Sequence, residues 1–328
     1  MRSKSQQNIK PKVEMLFTAV ILIVLKLIHS RIIGTFVMPH GGIALDPTHF
    51  NTTNATAKNE AEILHKSCQE VGQVIDSLDP DLVFLSTPHG LSDLNNFVFY
   101  LNPAGYGQAD TDNCQCPPCC YSIKIKIDNS TSIDLIQTMK TYNTNVSGLS
   151  AFGPPGQSAE LFPLRWGEVI PLHFLPNINR VKVVILSQPS RRYAQDVSMI
   201  PELLELGSNL YKYLEDLPQK VVTIISADLA HTHLKSGPYG YSDAAEPFDQ
   251  AIGQWIMTLD QSVLTVKAAK YVDKALSCGY TGLVMLHGMM HAGELSSWKP
   301  NLYANYHPSY YGMIVASFLR TSHIHDSL

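Results

Sequence analysis

Five short runs of apolar, β-branched residues constrain the fold of this chain more than any other feature. They cover residues 31–38, 82–86, 122–127, 181–186 and 221–226. Each run ends at or near Pro, Gly, Ser or Asp, as buried strands do. Helical patterns lie between some of the runs, with apolar residues at three- and four-residue spacings in 59–78 and 198–217. This alternation predicts an α/β fold whose mixed or parallel sheet is mostly buried between flanking helices.

The pattern also predicts the domain organisation. Further helices are expected at 248–258 and 263–275. Residues 100–165 are rich in Gly, Pro, Asn, Ser and Cys, which indicates an insertion of loops and short strands at one rim of the sheet. The sequence has no internal repeat and no long linker. We therefore predict one domain over 31–328, preceded by an N-terminal extension over 1–30.

The N-terminal extension resembles a targeting segment. Four basic residues within the first dozen precede an apolar stretch at 15–28, which Lys26 interrupts. Basic residues followed by a short apolar run are typical of a signal peptide or signal anchor. The run is shorter than the ~18–20 residues that span a bilayer, and no small-x-small cleavage site follows it. We predict the secretory pathway, secreted or anchored, with membrane contact through 15–28. The alternative is a cytoplasmic protein whose extension is a packed helix or unstructured.

Composition limits the classes of function. Apolar residues make up 45% and charged residues 16%, so a large core is expected and wholesale disorder is not. The net charge is -4 and no basic block follows the first dozen residues, which argues against a nucleic-acid partner. Four of the six cysteines lie within 114–120. They predict a structural loop, stapled by disulfides in an oxidising compartment, more than a zinc site. A homo-oligomer is compatible with the sequence.

Two Pro-His-Gly motifs follow the first two predicted strands. The motif at His40 comes after the run at 31–38, and the motif at His89 comes after the run at 82–86. In open α/β sheets ligands gather at the carboxyl ends of strands, so both imidazoles are expected at one crevice. Neutral imidazole suits Fe, Zn and Cu, and we predict that both residues bind a metal. The alternative is a structural role as capping or packing residues.

Asp228 and His231 belong to a third motif, Ser-Ala-Asp-Leu-Ala-His, which follows the predicted strand at 221–226. Histidine titrates near working pH, so His231 is predicted to act as an acid–base catalyst in the same crevice. Asp228 is expected to orient His231 or to cap the following turn. The competing interpretation is an ordinary loop histidine.

Cys278 lies in a Ser-Cys-Gly-Tyr element before an apolar helical run at 283–290. A helix N-terminus lowers the pKa of a thiol, so Cys278 is a predicted metal ligand, with an inert buried cysteine as the alternative. Tyr239 and Tyr280 are predicted to contact substrate. No G-x-G-x-x-G, G-x-x-x-x-G-K-[ST] or G-x-S-x-G motif occurs, so nucleotide binding and hydrolase chemistry lack support.

In this order the motifs resemble the class III extradiol dioxygenase catalytic-subunit superfamily, of LigB type, over residues 32–320. The resemblance implies a LigB-like fold in which His40 and His89 bind the metal. It also implies that His231 is the acid–base residue beside the substrate. The implied cofactor is Fe(II), with copper or zinc as alternatives. The implied partners are a small aromatic diol or related phenol and O2.

The chain departs from this family pattern in two places. Residues 278–282 lack the glutamate that completes the metal site of the ring-cleaving members, and Cys278 resembles the metal-site cysteine of the Memo branch. Trp166 stands where many members carry a substrate-binding histidine, so we assign Trp166 to the substrate. The expected function is therefore a non-haem Fe(II) extradiol dioxygenase. The alternative is a Memo-like copper or iron protein with a redox or signalling role; an interaction domain that has lost its metal ranks third.

Overall fold

A single mixed sheet organises the protein. The computed structural model describes residues 31–153 and 160–321, and within them eleven strands form this sheet. The strands are β1 (Ile32–Met38), β2 (Leu82–Thr87), β3 (Phe97–Tyr100), β4 (Ala104–Ala109), β5 (Tyr121–Ile127), β6 (Val146–Leu149), β7 (Phe162–Leu164), β8 (Lys182–Ser187), β9 (Val221–Ser226), β10 (Trp298–Tyr306) and β11 (Met313–Arg320). Their order is β10-β11-β1-β9-β2-β8-β5-β4-β7, and β3 pairs with β8 and with β6.

Helices cover both faces of the sheet. They are α1 (Gly42–Leu45), α2 (Ala55–Ser77), α3 (Asn129–Thr141), α4 (Trp166–His173), α5 (Arg192–Gln195), α6 (Ile200–Asp216), α7 (Ala245–Thr258), α8 (Val272–Ala275) and α9 (Tyr280–Ala292). One apolar core joins α3, α6, α7 and α9 to the sheet, and a second joins α1, α2 and α4 to the opposite face. The predicted α/β domain with a large mixed sheet between helices is thus confirmed.

Four neighbouring strands form the parallel centre of the sheet. β1 pairs with β9, β9 with β2, and β2 with β8, all in parallel register. β1, β2 and β9 are buried along their whole length. Because parallel neighbours end on the same side, the loops after these four strands meet at one edge of the sheet. All five predicted strands are confirmed to within a residue or two.

Of the remaining secondary-structure predictions, some are confirmed and others are wrong. The helices predicted at 59–78, 198–217 and 248–258 appear as α2, α6 and α7. The prediction of one helix over 263–275 is wrong: the segment divides into a π-helical stretch (Val263–Lys267), a 3-10 turn (Ala268–Lys270) and α8. The apolar residues of all three pieces still face one core, which is why their spacing looked helical. Residues 100–165 contain the predicted loops and short strands, since β4 to β7 extend the sheet, but they also contain α3, which was not predicted.

The predicted extension at 1–30, with its signal-like segment, lies outside the described residues. Among the residues that the structure does describe, no helix has both the length and the apolar character needed to cross a membrane.

Close contact between α6 and α9 sets the position of the last helix. A Cβ atom on Gly207 would lie 2.0 Å from the backbone oxygen of Met285, and one on Gly288 would lie 2.3 Å from that of Leu204. Only glycine permits this approach of the two backbones. The contact places the beginning of α9, and Cys278 just before it, beside the loop that follows β9.

Candidate metal and substrate site

The predicted ligands converge at the carboxyl edge of the sheet. His40 follows β1 and His89 follows β2, while Cys278 precedes α9. One ligand atom from each of these three residues lies within 4.8 Å of the other two. The imidazole centroids of His40 and His89 are 4.8 Å apart and their rings are nearly perpendicular. The structure therefore brings together three residues that are far apart in the sequence.

Hydrogen bonds place the lone pair of His40 on Nε2, the nitrogen that faces Cys278. Nδ1 of His40 is 2.9 Å from Oγ of Ser226, and that hydroxyl donates to the backbone oxygen of Gly167 at 2.6 Å. Since the hydroxyl hydrogen is used there, Ser226 must accept from Nδ1–H, which places the lone pair of His40 on Nε2. This nitrogen is 3.2 Å from Sγ of Cys278.

Both histidines are held in the neutral form that ligates metals. Burial lowers the pKa of His40 well below its ordinary value, and the electrostatic influence of His89, His231 and Arg192 lowers it further. Burial and then Arg192 lower the pKa of His89 to about 3. Desolvation disfavours the charged imidazolium in each case.

The pKa of the Cys278 thiol is raised, although the position of Cys278 before a helix suggested that it would be lowered. Burial, followed by the negative charge of Asp228, raises its pKa to about 12. The side chain is only 5% exposed, so desolvation of a thiolate outweighs the favourable field of the helix end. The expectation of a lowered thiol pKa is thus wrong for the metal-free chain. A cation beside the sulfur would be needed to hold the thiolate.

Asp228 supplies a carboxylate next to the ligand cluster. Its Oδ1 accepts from the backbone N–H of His40 at 3.1 Å, and its Oδ2 is 3.4 Å from Nε2 of the same residue. Burial raises the pKa of Asp228 to about 8, helped by the charge of Asp112. The prediction that Asp228 orients His231 is wrong, because its carboxylate contacts the His40 loop instead. Asp228 lies in the loop after β9, so its carboxylate reaches the site from a different loop than Cys278.

His231 presents a basic nitrogen to the same crevice. Its Nδ1 is 2.9 Å from the backbone oxygen of Leu229, so this nitrogen carries the hydrogen and Nε2 carries the lone pair. Burial lowers the pKa of His231, which keeps it neutral and able to accept a proton. The peptide oxygen of Leu229 therefore takes the orienting role predicted for Asp228.

Aromatic side chains wall a cavity of about 260 Å³ above the cluster, and they include Trp166, Tyr239, Tyr310 and Tyr311. Trp166 begins α4 and lies 5.1 Å from the ring of His89. Tyr239 is 58% exposed at the mouth, 5.9 Å from the ring of His231. Both therefore lie where a substrate would pass. Tyr280 does not: it is fully buried and donates to the backbone oxygen of Leu264. Its prediction as a substrate contact is wrong because it points into the core around α7.

Sequence reasoning missed three contributors to the site. Ser226 looked like the end of a strand but fixes His40. Tyr311, which was not singled out, lines the cavity and donates to Asp112 at 3.2 Å. Arg192 follows β8 and lies buried beside the cluster. Its position just past a central strand was the available signal, the same one that identified His40 and His89.

The cysteine-rich segment forms a disulfide-bonded loop next to the site. Cys114 pairs with Cys119 and Cys116 with Cys120, so the predicted structural loop is the arrangement observed. Residues 110–113 and Gln115 of this region line a cleft that also reaches His40 and Trp166.

Comparisons with known proteins agree with this architecture. A family model described as the catalytic LigB subunit of aromatic ring-opening dioxygenase matches residues 34–316. Protein CA_C1420 of Clostridium acetobutylicum is 23% identical over 278 residues, which are 81% of this chain and 54% of that protein. The chain therefore spans about half the length of this curated relative. The uncharacterized protein JW3007 from Escherichia coli K12 has a similar fold, with a TM-score of 0.52 and 13% identity, over 87% of this chain and 99% of its own.

Proposed function

This chain belongs to the family of catalytic LigB subunits of aromatic ring-opening dioxygenases, and we propose that it is an Fe(II)-dependent dioxygenase of the extradiol type. Its substrates would be a small aromatic diol or related phenol and O2. The position of Asp228 carries this proposal. The sequence lacks the carboxylate expected near Cys278, and the carboxylate of Asp228 stands 3.4 Å from Nε2 of His40 instead.

The donor atoms fit the metal that the family implies. Two neutral imidazoles and one carboxylate are the ligand set of non-haem Fe(II) oxygenases. His40 and His89 would hold the metal, with Asp228 or Cys278 completing the set. When bound, Fe(II) supplies a Lewis acid and a redox centre for a phenolate and O2.

The protein's own residues supply orientation and proton transfer. Nε2 of His231 faces the cavity and accepts the proton of a phenol, while Nδ1 stays bonded to Leu229. Trp166, Tyr310 and Tyr311 enclose an aromatic ring on the apolar sides of the cavity and exclude water from it. Ser226 keeps His40 in the tautomer that can ligate.

Metal analysis followed by turnover tests this function. The full chain, purified without O2, should contain about one iron per chain, and His40→Ala should lose it. His291→Ala, a histidine exposed on α9, is the matched control and should keep the iron. Catechols would then be added with O2, and oxygen uptake and ring-opened products measured. Iron without any turnover, or metal retained in His40→Ala, would contradict the proposal.

The second candidate is a Memo-like copper or iron protein with a redox or signalling role. The separation of 3.2 Å between Sγ of Cys278 and Nε2 of His40 favours it, since soft thiolate ligands select copper. Two variants discriminate between the candidates. Loss of metal in Asp228→Asn with retention in Cys278→Ser would support the dioxygenase, and the reverse pattern with copper bound would support the alternative.

A further inference from the structure

A second group of histidines and carboxylates lies outside the metal and substrate site. It consists of His233 in the loop after β9, Glu246 and Asp249 on α7, and His307 just after β10. One ligand atom from each of His233, Glu246 and His307 lies within 4.8 Å of the other two. We call these four residues the second cluster. The proposed dioxygenase function assigns no role to any of them.

Each imidazole of the second cluster faces a carboxylate. Nε2 of His233 is 2.8 Å from Oδ2 of Asp249, and Nε2 of His307 is 3.1 Å from Oε2 of Glu246. The two imidazole rings stack on each other, with their centroids 3.9 Å apart and their planes almost parallel. Two protonated rings at this separation would repel each other, so protonation is a poor way to neutralise both carboxylates at once. One divalent cation would neutralise both.

The second cluster has a buried half and an accessible half. The side chains of His233 and Asp249 are 5% and 6% exposed, whereas those of His307 and Glu246 are 43% and 55% exposed. Asp249 is fixed further, because its Oδ1 accepts from the backbone N–H of Ala230 at 3.0 Å. A cation can therefore enter from solvent and meet donors that the fold already holds in place.

The donor atoms suit Zn²⁺. This ion binds imidazole nitrogen and carboxylate oxygen in tetrahedral sites, and a fourth position can be taken by water. At bond lengths of about 2.0–2.1 Å, two ligand atoms of such a site are roughly 3.3 Å apart. Nε2 of His307 and Oε2 of Glu246 are already close to that separation. Because both of these side chains are exposed, they can rotate towards His233 and close the remaining distance.

The second cluster joins two loops that also wall the aromatic cavity. The backbone N–H of His233 donates to the oxygen of Tyr310 at 3.1 Å, and that of Gly312 donates to the oxygen of Ala230 at 2.7 Å. These bonds connect the loop after β9 with the loop between β10 and β11. His233 belongs to the first loop and His307 to the second, so an ion bound by both would cross-link the same two loops.

We propose that the second cluster is a structural zinc site. His233, Glu246 and His307 bind the ion, and the carboxylate of Asp249 beside them balances its charge. Zn²⁺ has no redox chemistry, which suits a cross-link next to a site where O2 would react. The proposal does not depend on the dioxygenase function, because none of its residues belongs to the group formed by His40, His89 and Cys278.

Zinc content measured in two backgrounds tests the site. The full chain would be dialysed to equilibrium against about 1 µM free Zn²⁺, a concentration that a specific site with a lower Kd retains. His307→Ala should contain one zinc per chain less than wild type. The double variant His89→Ala/His307→Ala should contain one less than His89→Ala, in which the other metal site is disabled. Equal zinc in His307→Ala and its parent, in either background, would overturn the proposal and leave two ordinary ion pairs.

Matched substitutions separate the second cluster from general effects. Glu246→Gln removes a negative ligand and should also lose one zinc per chain, whereas Glu205→Gln, at an exposed position of α6, should lose none. His291→Ala is the corresponding histidine control. His307 and Glu246 are both exposed, so we expect their variants to fold, and the melting temperature without metal checks this. Zinc content that is unchanged in Glu246→Gln would remove this residue from the site.

Hydrogen exchange tests the cross-link itself. In His89→Ala, added Zn²⁺ should slow exchange of the amides of His233 and Gly312, because both N–H groups bond across the two loops. The double variant with His307→Ala should show no such change. Equal slowing in both proteins, or none in His89→Ala, would contradict a structural role for zinc at the second cluster.

Discussion

Individual hydrogen bonds decide which nitrogen of each site histidine is available. Nδ1 of His40 donates a hydrogen bond to Oγ of Ser226, and Nδ1 of His231 donates one to the backbone oxygen of Leu229. The lone pair of each ring is therefore on Nε2, where we propose that His40 binds the metal and His231 accepts a proton. Partners behind a ligand fix its tautomer and orientation, so their loss weakens the site without removing a donor.

Removal of the Ser226 hydroxyl tests this arrangement. In Ser226→Ala, Nδ1 of His40 loses its acceptor and the ring no longer has a single preferred tautomer. We expect Fe(II) affinity to fall about 10- to 100-fold, measured by calorimetry without O2. Ser132→Ala removes another buried hydroxyl, in α3 and remote from the site, and should leave affinity unchanged. A drop of similar size in both variants would show a general loss of structure and not a role for Ser226.

The proton-transfer role of His231 predicts a different outcome. His231→Gln should retain the metal and reduce turnover by roughly 10²- to 10⁴-fold, the usual contribution of a general base. Metal content and steady-state oxygen uptake, measured on the same sample, test whether the metal is retained and whether turnover falls. His291→Gln serves as the control at an exposed position. Turnover near the wild-type rate in His231→Gln would remove this residue from the mechanism.

At the scale of elements, strands whose sequence pattern reflects burial on both faces could be predicted. Strands and helices whose formation depends on their packing partners could not. β1, β2 and β9 are buried on both faces, so their sequences are continuous apolar runs. β10 lies at the edge of the sheet, where only Trp298 and Ala304 are buried, and it pairs with β11 as an antiparallel hairpin. Such strands carry a weaker local signal. α4 was also unrecognised as a helix, because Pro171 lies inside it.

α4 is held at its start by a buried acid with an unusual pKa. Glu168 accepts from the backbone N–H of Arg165 at 2.9 Å and from the hydroxyl of Tyr100 at 2.6 Å. Burial raises its pKa from 4.5 to about 7. Because the folded chain binds this proton more tightly, the contribution to stability is complete below about pH 4.5. It is lost as pH rises towards about 7.

Replacement of this acid should flatten the pH dependence of stability. Between those two pH values, the free energy of unfolding of metal-free Glu168→Gln should rise relative to wild type by at most roughly 3 kcal/mol. Urea unfolding at several pH values measures the difference. Glu205→Gln, at an exposed position of α6, should follow the wild-type curve. A constant difference between Glu168→Gln and wild type would mean that Glu168 ionises alike in both states.

At the scale of the whole molecule, the sequence allowed the clustering of three site residues to be predicted, but not the residues that contact them. His40, His89 and Cys278 were recognisable because each follows a strand or precedes a helix in a distinctive motif. The carboxylate of Asp228 was assigned to the wrong partner, since its distance to His40 depends on the pairing of β9 with β1. Tyr280 was misplaced for a similar reason: the direction of a side chain at a helix start is set by the packing of that helix.

The compartment of the protein is open to a chemical test. We propose the secretory pathway, supported by the pairing of four cysteines in one loop, because disulfides persist in oxidising compartments. Alkylation of the unfolded chain without reductant, taken from its native source, should label Cys68 and Cys278 and leave the other four unmodified. Mass spectrometry counts the labels. Six labelled cysteines would contradict the secretory proposal and favour the cytoplasmic alternative.

Metal binding should stabilise the entire domain, because the site is assembled from loops that only the folded sheet brings together. His40, His89, Asp228 and Cys278 come from four separate segments, so the unfolded chain offers no comparable site. A ligand that binds only the folded state contributes about 2.7 kcal/mol when its concentration is 100 times its Kd. For a domain of this size we expect the melting temperature to rise by roughly 5 °C.

Calorimetric scans without O2, at increasing Fe(II), measure this rise, and it should continue with each tenfold increase in metal. His89→Ala should abolish the dependence, whereas His291→Ala should preserve it. The same scans separate the two functional candidates: copper that stabilises wild type strongly but Cys278→Ser weakly would favour the Memo-like alternative. A melting temperature that does not respond to iron or copper would mean that the three residues cluster for structural reasons alone.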